Sequence, residues 1–234
     1  MGDPAILSFE DVSADAAPPC DVRLERVGFR LGPGDLLLAR LGEGATRTPL
    51  ADLADGTFAP TRGRIAYRGR EWAALSAEEV SALRATIGRV RDRAEWISNL
   101  DLDENVLLAR RHHTSLGERE IRAEAAGLAA GFGLEALPDR RVHLVGRREL
   151  AAAACVRAFL GGPALLLLER PARGMSGSLM SGLVQAVDAA RRRGAAVVWI
   201  TDDPEIWRSP ALTPTLRAET EGGRMVLLAE VGHG

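Results

Sequence analysis

Two apolar runs constrain this chain most: ALLLLER at 164–170 and AAVVWITDD at 195–203. Each is too short for an ordinary helix and too continuous for a strand with one wet face, so both read as strands buried on both sides. Between them lies SLMSGLVQAVDAARRRG, whose apolar residues recur with helical period, making it a crossover helix. A strand, crossover helix and strand in that order predict a largely parallel sheet covered on both faces.

The remaining elements extend this core. ILSFEDV, DVRLERVGFRL and LLLAR read as short strands separated by turns, and PLADLADG as a brief helix stopped by Gly56. GRIAYRGREW reads as a strand and hairpin punctuated by Gly63 and Gly69. Ser76 and Glu79 have the spacing of a capping box, as do Ser115 and Glu118 ahead of EIRAEAAGLAAGFG. IGRV is a buried strand, ELAAAACVRAFL a helix with small residues for close packing, and GRMVLLAE a last strand. The expected fold is α/β, one domain over 1–234. It has a mostly parallel core, an antiparallel N-terminal β part and an inserted helical subdomain over about 76–160.

Composition removes several function classes. The chain has 234 residues, 46% hydrophobic and 26% charged, with a net charge of -2, as expected of an ordinary globular protein. No run approaches the roughly 18 apolar residues that cross a bilayer, and MGDPAILSFE does not resemble an export signal. Cys20 and Cys155 lie far apart, so no structural disulfide and a cytoplasmic setting are expected. His112, His113, His143 and His233 show no zinc spacing with either cysteine. The arginine runs are not interleaved with stacking aromatics, which argues against nucleic acid as a partner. All thirty basic residues are arginines, so no chemistry that needs an ε-ammonium group is open to the chain.

LGEGATRT, at 41–48, follows a strand and is rich in glycine, the usual setting of a phosphate-binding turn. With the segments TRGRIAYRGREW, IGRVRDRAEWISNLDLDENVLLARRHH and RRVHLVGRRELAAAACVRAFLGGPALLLLERP in order behind it, nearly the whole chain resembles the ATP-binding subunit of ABC transporters. ISNLDLDENV and the following RRHH are also similar to subunits serving lipid-related importers or exporters.

The resemblance implies a P-loop NTPase-like fold and assigns roles by position, and nearly every assigned residue departs from the family pattern. In the phosphate loop, GxxGxGK followed by Ser or Thr, Leu41 takes the first glycine position, Gly44 the second and Thr46 the third. Arg47 stands for the lysine and Thr48 for the magnesium ligand. Gly44, Arg47 and Thr48 are therefore the nucleotide-binding candidates. Pro49 lacks an N–H where the next helix begins. In the Walker B strand, Glu169 replaces the aspartate; with Thr48 it is the candidate Mg²⁺ ligand, its oxygens displaced by roughly an ångström. Arg170 replaces the catalytic glutamate and stays protonated, so it cannot act as a base; a surface salt bridge is its simplest role. Asp92 takes the Q-loop position and Asp202 that of the switch histidine, where a carboxylate would repel a γ-phosphate. Met175 and Ser176 take the D-loop positions, and Val145, Gly146, Arg147, Arg148 and Glu149 stand where the family carries LSGGQ. ADAAPPCD lacks the aromatic residue often stacked on adenine.

No cofactor is fixed by these residues; ATP and Mg²⁺ are what the resemblance implies, weakly held. The implied partners are an integral-membrane permease and a second ABC ATPase-like subunit, the same or different, which would bring the chain to the inner or plasma membrane. Three functions stay open: a weak or inactive subunit acting as a structural or regulatory partner in transport, a slow ATPase with a rearranged arginine-rich site, and an interaction module outside transport.

Overall fold

The computed structural model describes residues 5–93, 95–171, 173 and 177–228. Met175, Ser176 and His233, singled out above, lie outside them.

In chain order the elements are β1 (Leu7–Ala14), β2 (Arg23–Leu31), β3 (Leu36–Arg40), α1 (Leu50–Ala54), β4 (Arg62–Tyr67), β5 (Arg70–Glu71), α2 (Ala77–Arg84) and β6 (Ile87–Val90). There follow α3 (Leu102–His112), α4 (Glu118–Gly131), α5 (Arg147–Phe159), β7 (Leu165–Glu169), α6 (Ser178–Arg192), β8 (Ala196–Thr201), α7 (Pro204–Trp207), β9 (Leu216–Glu221) and β10 (Arg224–Leu228). The strands form one sheet in the order β5-β4-β1-β2-β10-β9-β3-β8-β7-β6. From β9 to β6 all neighbours are parallel, whereas β1 pairs antiparallel with both β2 and β4, and β4 with β5. This is the largely parallel α/β core that the two apolar runs predict, with the expected antiparallel N-terminal part beside it.

Strand alternation divides the core into two layers. Leu166, Leu168, Val197 and Trp199 face one side, packed with α3, α4, α5 and α6. Leu165, Leu167, Ala196 and Val198 face the other, with α1 and the antiparallel strands. Helices α3, α4 and α5 pack on one another. Gly88 in β6 lets α5 approach closely, since a Cβ there would lie 1.9 Å from the Ala158 carbonyl oxygen.

Two helix starts differ in their local cause. Ser76 caps α2 as its spacing predicts, with reciprocal bonds to Glu79. The second box is displaced: α4 is preceded by Gly117, whose N–H donates to Glu120, and Ser115 does not cap it. Gly117 has no side chain to offer, so only the glutamate half of the box forms. Among the described residues, no helix is long and apolar enough to cross a membrane, and both cysteines are free and buried.

Candidate functional site

The strand ends β3, β7 and β8 converge, and the 41–48 loop, Glu169–Arg170 and Asp202 meet there, at the carboxyl edge where open parallel sheets hold their ligands. The loop leaves β3 with Leu41 donating to the Thr201 carbonyl and Gly42 to Thr220 Oγ1. It turns at Gly44, whose φ of +79° is the left-handed conformation glycine supplies without strain. The N–H groups of Thr46 and Arg47 then donate to the carboxylate of Asp21, at 2.8 Å from each to its nearer oxygen, and the Thr46 hydroxyl donates to Asp21 Oδ2 at 2.6 Å. Asp21 is itself tied to the loop, its N–H donating to the Arg47 carbonyl at 3.0 Å. Partial burial works to raise the Asp21 pKa, yet the Thr46 hydroxyl and the backbone donors outweigh it and hold it below the usual value. An anion of the chain's own thus sits on two adjacent N–H groups of the kind that would face phosphate.

The candidate ligands of this loop are turned inward. Arg47 reaches Asp52 at 3.2 Å. Thr48 is buried, and its hydroxyl accepts from the Leu50 N–H at 3.3 Å, serving the start of α1. Helix α1 is only five residues long, and it and its C-cap bury two acids, Asp52 and Asp55.

Those acids belong to an ionic cluster with Glu169 at its far side. Alternation in β6 places Arg89 on the α1 face, in register with Leu167. Its guanidinium, 8% exposed, contacts Asp52 at 2.8 Å, Asp55 at 2.6 Å and Glu169 at 2.7 Å. Burial alone would lower the Arg89 pKa, but the three carboxylates raise it, so the cation is permanent. Burial pushes Glu169 above the ordinary carboxylate range, and the charges of Arg89 hold it back only in part. The Walker B position is thereby neutralised by an arginine fork, where the resemblance places a hydrated metal. The residues present do not fit Mg²⁺ bound to a triphosphate: Thr48 serves the backbone, Glu169 serves Arg89, and no group of three metal-ligating side chains occurs among the described residues.

Three further positions complete one another. Arg170 has φ +45°, a left-handed conformation unfavourable to a side chain, and its N–H donates to the Ile200 carbonyl at 2.9 Å. The surface salt bridge expected of it is instead nearly buried: the Arg170 side chain is 7% exposed and bridges Asp92 at 2.5 Å and Asp202 at 3.1 Å. Arg173 lies 3.6 Å from each of the same two carboxylates. The three residues that the resemblance sets in place of glutamine, glutamate and histidine carry complementary charges and meet as an acid–base–acid bridge.

The 145–149 segment forms the start of α5. Val145 is buried, and Gly146 precedes α5 with its N–H donating to Glu149 at 3.1 Å. Glu149 also binds Arg140 through both oxygens at 2.9 Å. Arg147 and Arg148 point their helix turn toward solvent. The candidate list drawn from sequence omitted Asp21, Asp52, Asp55 and Arg89. Two acids three residues apart, one in a short helix and one capping its end, and an arginine inside a strand otherwise apolar, were the available signals.

No family model matches the sequence. The chain is 25% identical over 185 residues to the ribose import ATP-binding protein RbsA 1 of Streptomyces avermitilis, covering 78% of this chain and 35% of that protein, so it spans about a third of that relative. It is 25% identical over 200 residues to the lipoprotein-releasing system ATP-binding protein LolD of Oleidesulfovibrio alaskensis, covering 84% and 86%. It is 20% identical over 185 residues to the putative hemin import ATP-binding protein HrtA of Staphylococcus haemolyticus, covering 79% and 83%. Among solved structures, a dimeric ATP-binding cassette in a post-hydrolysis state bound to ADP and Pi superposes with TM-score 0.83 at 16% identity, over 97% of this chain and all of that one. A dimeric bacterial ABC transporter cassette gives 0.80 at 17%, over 93% and 95%.

Proposed function

We propose that this chain, which has the ATP-binding-cassette fold and whose relatives are ATP-binding subunits of ABC transporters, is a cassette subunit without effective ATPase activity. It serves as a structural or regulatory partner of a membrane permease and a second cassette. The observation that carries this reading is the double internal substitution: Asp21 on the loop's N–H groups in place of phosphate, and Arg89 on Glu169 in place of a cation.

The chemistry follows from those contacts. Hydrolysis needs a proton acceptor beside the attacking water; at that position stands Arg170, whose charge is already shared between Asp92 and Asp202. A rearranged site using arginines as phosphate grips would need Arg47 and Arg170 free, and both are engaged by carboxylates. Loss of a single transition-state donor commonly costs about a hundredfold in rate. Such losses do not add when groups act together, yet base, metal ligand and loop donors are all committed elsewhere.

The test is direct. Purified chain, alone and with its copurifying cassette and permease, is titrated with ATP with and without Mg²⁺, and phosphate release is followed. The expected result is no saturable MgATP binding by the chain and no turnover attributable to it. Brisk hydrolysis that disappears in Glu169→Gln would overturn the reading.

A further inference from the structure

A cleft of about 260 Å³ opens beside the acid–base–acid bridge, between β6 and the first two turns of α5. Its wall on α5 is apolar, formed by Leu150 and Ala154 among others, and Trp96 closes one side. Trp96 is held in place from behind: Arg157 stacks on its ring at 4.2 Å and donates to the Glu95 carbonyl at 3.0 Å.

The rim has the opposite character. Four arginines line the cleft against one acid, Asp92. Arg170 takes the short contacts to Asp92 and Asp202, Arg173 faces the same two acids and Arg91 faces Asp52 only at longer range, and Arg147 adds a cation with no acid of its own among the described residues. Arg91 has its nearest carboxylate at 3.5 Å, beyond a strong contact, and Arg173 at 3.6 Å. Among the described residues, no hydrogen bond or ion pair is recorded for Arg147, at the N-terminal turn of a 13-residue helix where the backbone dipole already favours negative charge. In a chain whose net charge is -2, four arginines around one apolar hollow are a local concentration of positive charge.

We infer that this cleft is a binding site for a small amphipathic anion, with a carboxylate or phosphate head held by Arg91, Arg147 and Arg173 and a short apolar body against α5 and Trp96. The volume admits eight or nine groups the size of a water molecule, at about 30 Å³ each. That suits an eight-carbon chain and excludes a long acyl tail from full burial. A planar guanidinium pairs with either head through two parallel bonds. The cleft shares Asp92 and Arg170 with the acid–base–acid bridge, whereas no residue of the 41–48 loop lines it.

Isothermal titration of the full chain with octanoate, octyl phosphate, butyrate and 1-octanol tests this. Expected is one saturable site for octanoate or octyl phosphate with Kd below about 1 mM, the tighter of the two identifying the head group. Each pair of buried methylenes is worth roughly tenfold in affinity, so butyrate binds at least that much more weakly. Neutral 1-octanol shows no saturable heat. Arg147→Gln and Arg173→Gln, checked for an unchanged circular dichroism spectrum, weaken binding about tenfold or more, and Ala151→Phe, which fills the cleft, abolishes it. The inference is overturned by 1-octanol binding as tightly as octanoate, by parent affinity in both arginine variants, or by no saturable heat with either anion.

Discussion

Replacing Arg89 with methionine removes the one cation shared by Asp52, Asp55 and Glu169 while keeping similar volume. Arg47 at 3.2 Å and Arg91 at 3.5 Å still attend Asp52, but Asp55 and Glu169 keep no cation as a close partner within the cluster. Removing one member of a buried ion pair costs about 3–5 kcal/mol, because the remaining charge has no compensation. For a chain of this size each kcal/mol moves the midpoint by about 2–4 °C, so the melting temperature of Arg89→Met falls by about 6–20 °C at pH 8. The deficit depends on pH in a defined direction. Burial already holds the folded-state pKa of Glu169 above its unfolded value, so its ionisation opposes folding. That penalty is absent below the unfolded pKa and reaches full size as pH rises through the raised one. Loss of Arg89 raises it further, so the gap between variant and parent narrows from pH 8 toward pH 5. The double variant Arg89→Met, Glu169→Gln recovers part of the loss at pH 8. Thermal and urea melts followed by circular dichroism read all three effects. A variant melting within ~2 °C of the parent at pH 8 would show that the cluster does not neutralise these acids as argued.

Other expectations concern separate parts of the molecule. Glu79, held by the Ser76 N–H and then by Arg70, and Glu118, held first by Arg111, both titrate at about 2, which carboxyl NMR would follow. Their folded values lie below the unfolded ones, so their support for the starts of α2 and α4 is present above the ordinary glutamate range and fades as pH falls toward 2. Burial pushes the Cys155 thiol up to about 12 and raises that of Cys20, so neither reacts with Ellman's reagent in the native protein and both react in urea. Gly88→Ala drives a methyl group against the Ala158 carbonyl and is expected to destabilise the chain by about 1–3 kcal/mol or more, measurable in urea melts.

The parts legible in sequence were those in which the signal is local. Strands β7 and β8 are continuous apolar runs, the crossover helix has its own period, and Gly56 stops α1 as glycine does. Helix α3 has no such signal of its own, because its acidic first turn and basic last turn flank a short apolar stretch around Val106 and Leu107. At the site, each unusual residue was visible, but only as a loss. Asp21 and Arg47 are 26 residues apart, Arg89 and Glu169 are 80 apart, and Arg170 and Asp92 are 78 apart. Pairings over such spans are set by the parallel sheet, and no local pattern announces them. The complementarity of Asp92, Arg170 and Asp202 in charge emerges only when three strand ends are brought to one edge.

That bridge also works as a ratchet. Replacing Arg170 alone with glutamate would gather three carboxylates where two now share a cation, and replacing either aspartate alone with a neutral residue would strip the guanidinium of half its neutralisation. Each of these single substitutions therefore passes through a less stable protein, so the three positions are expected to change only together.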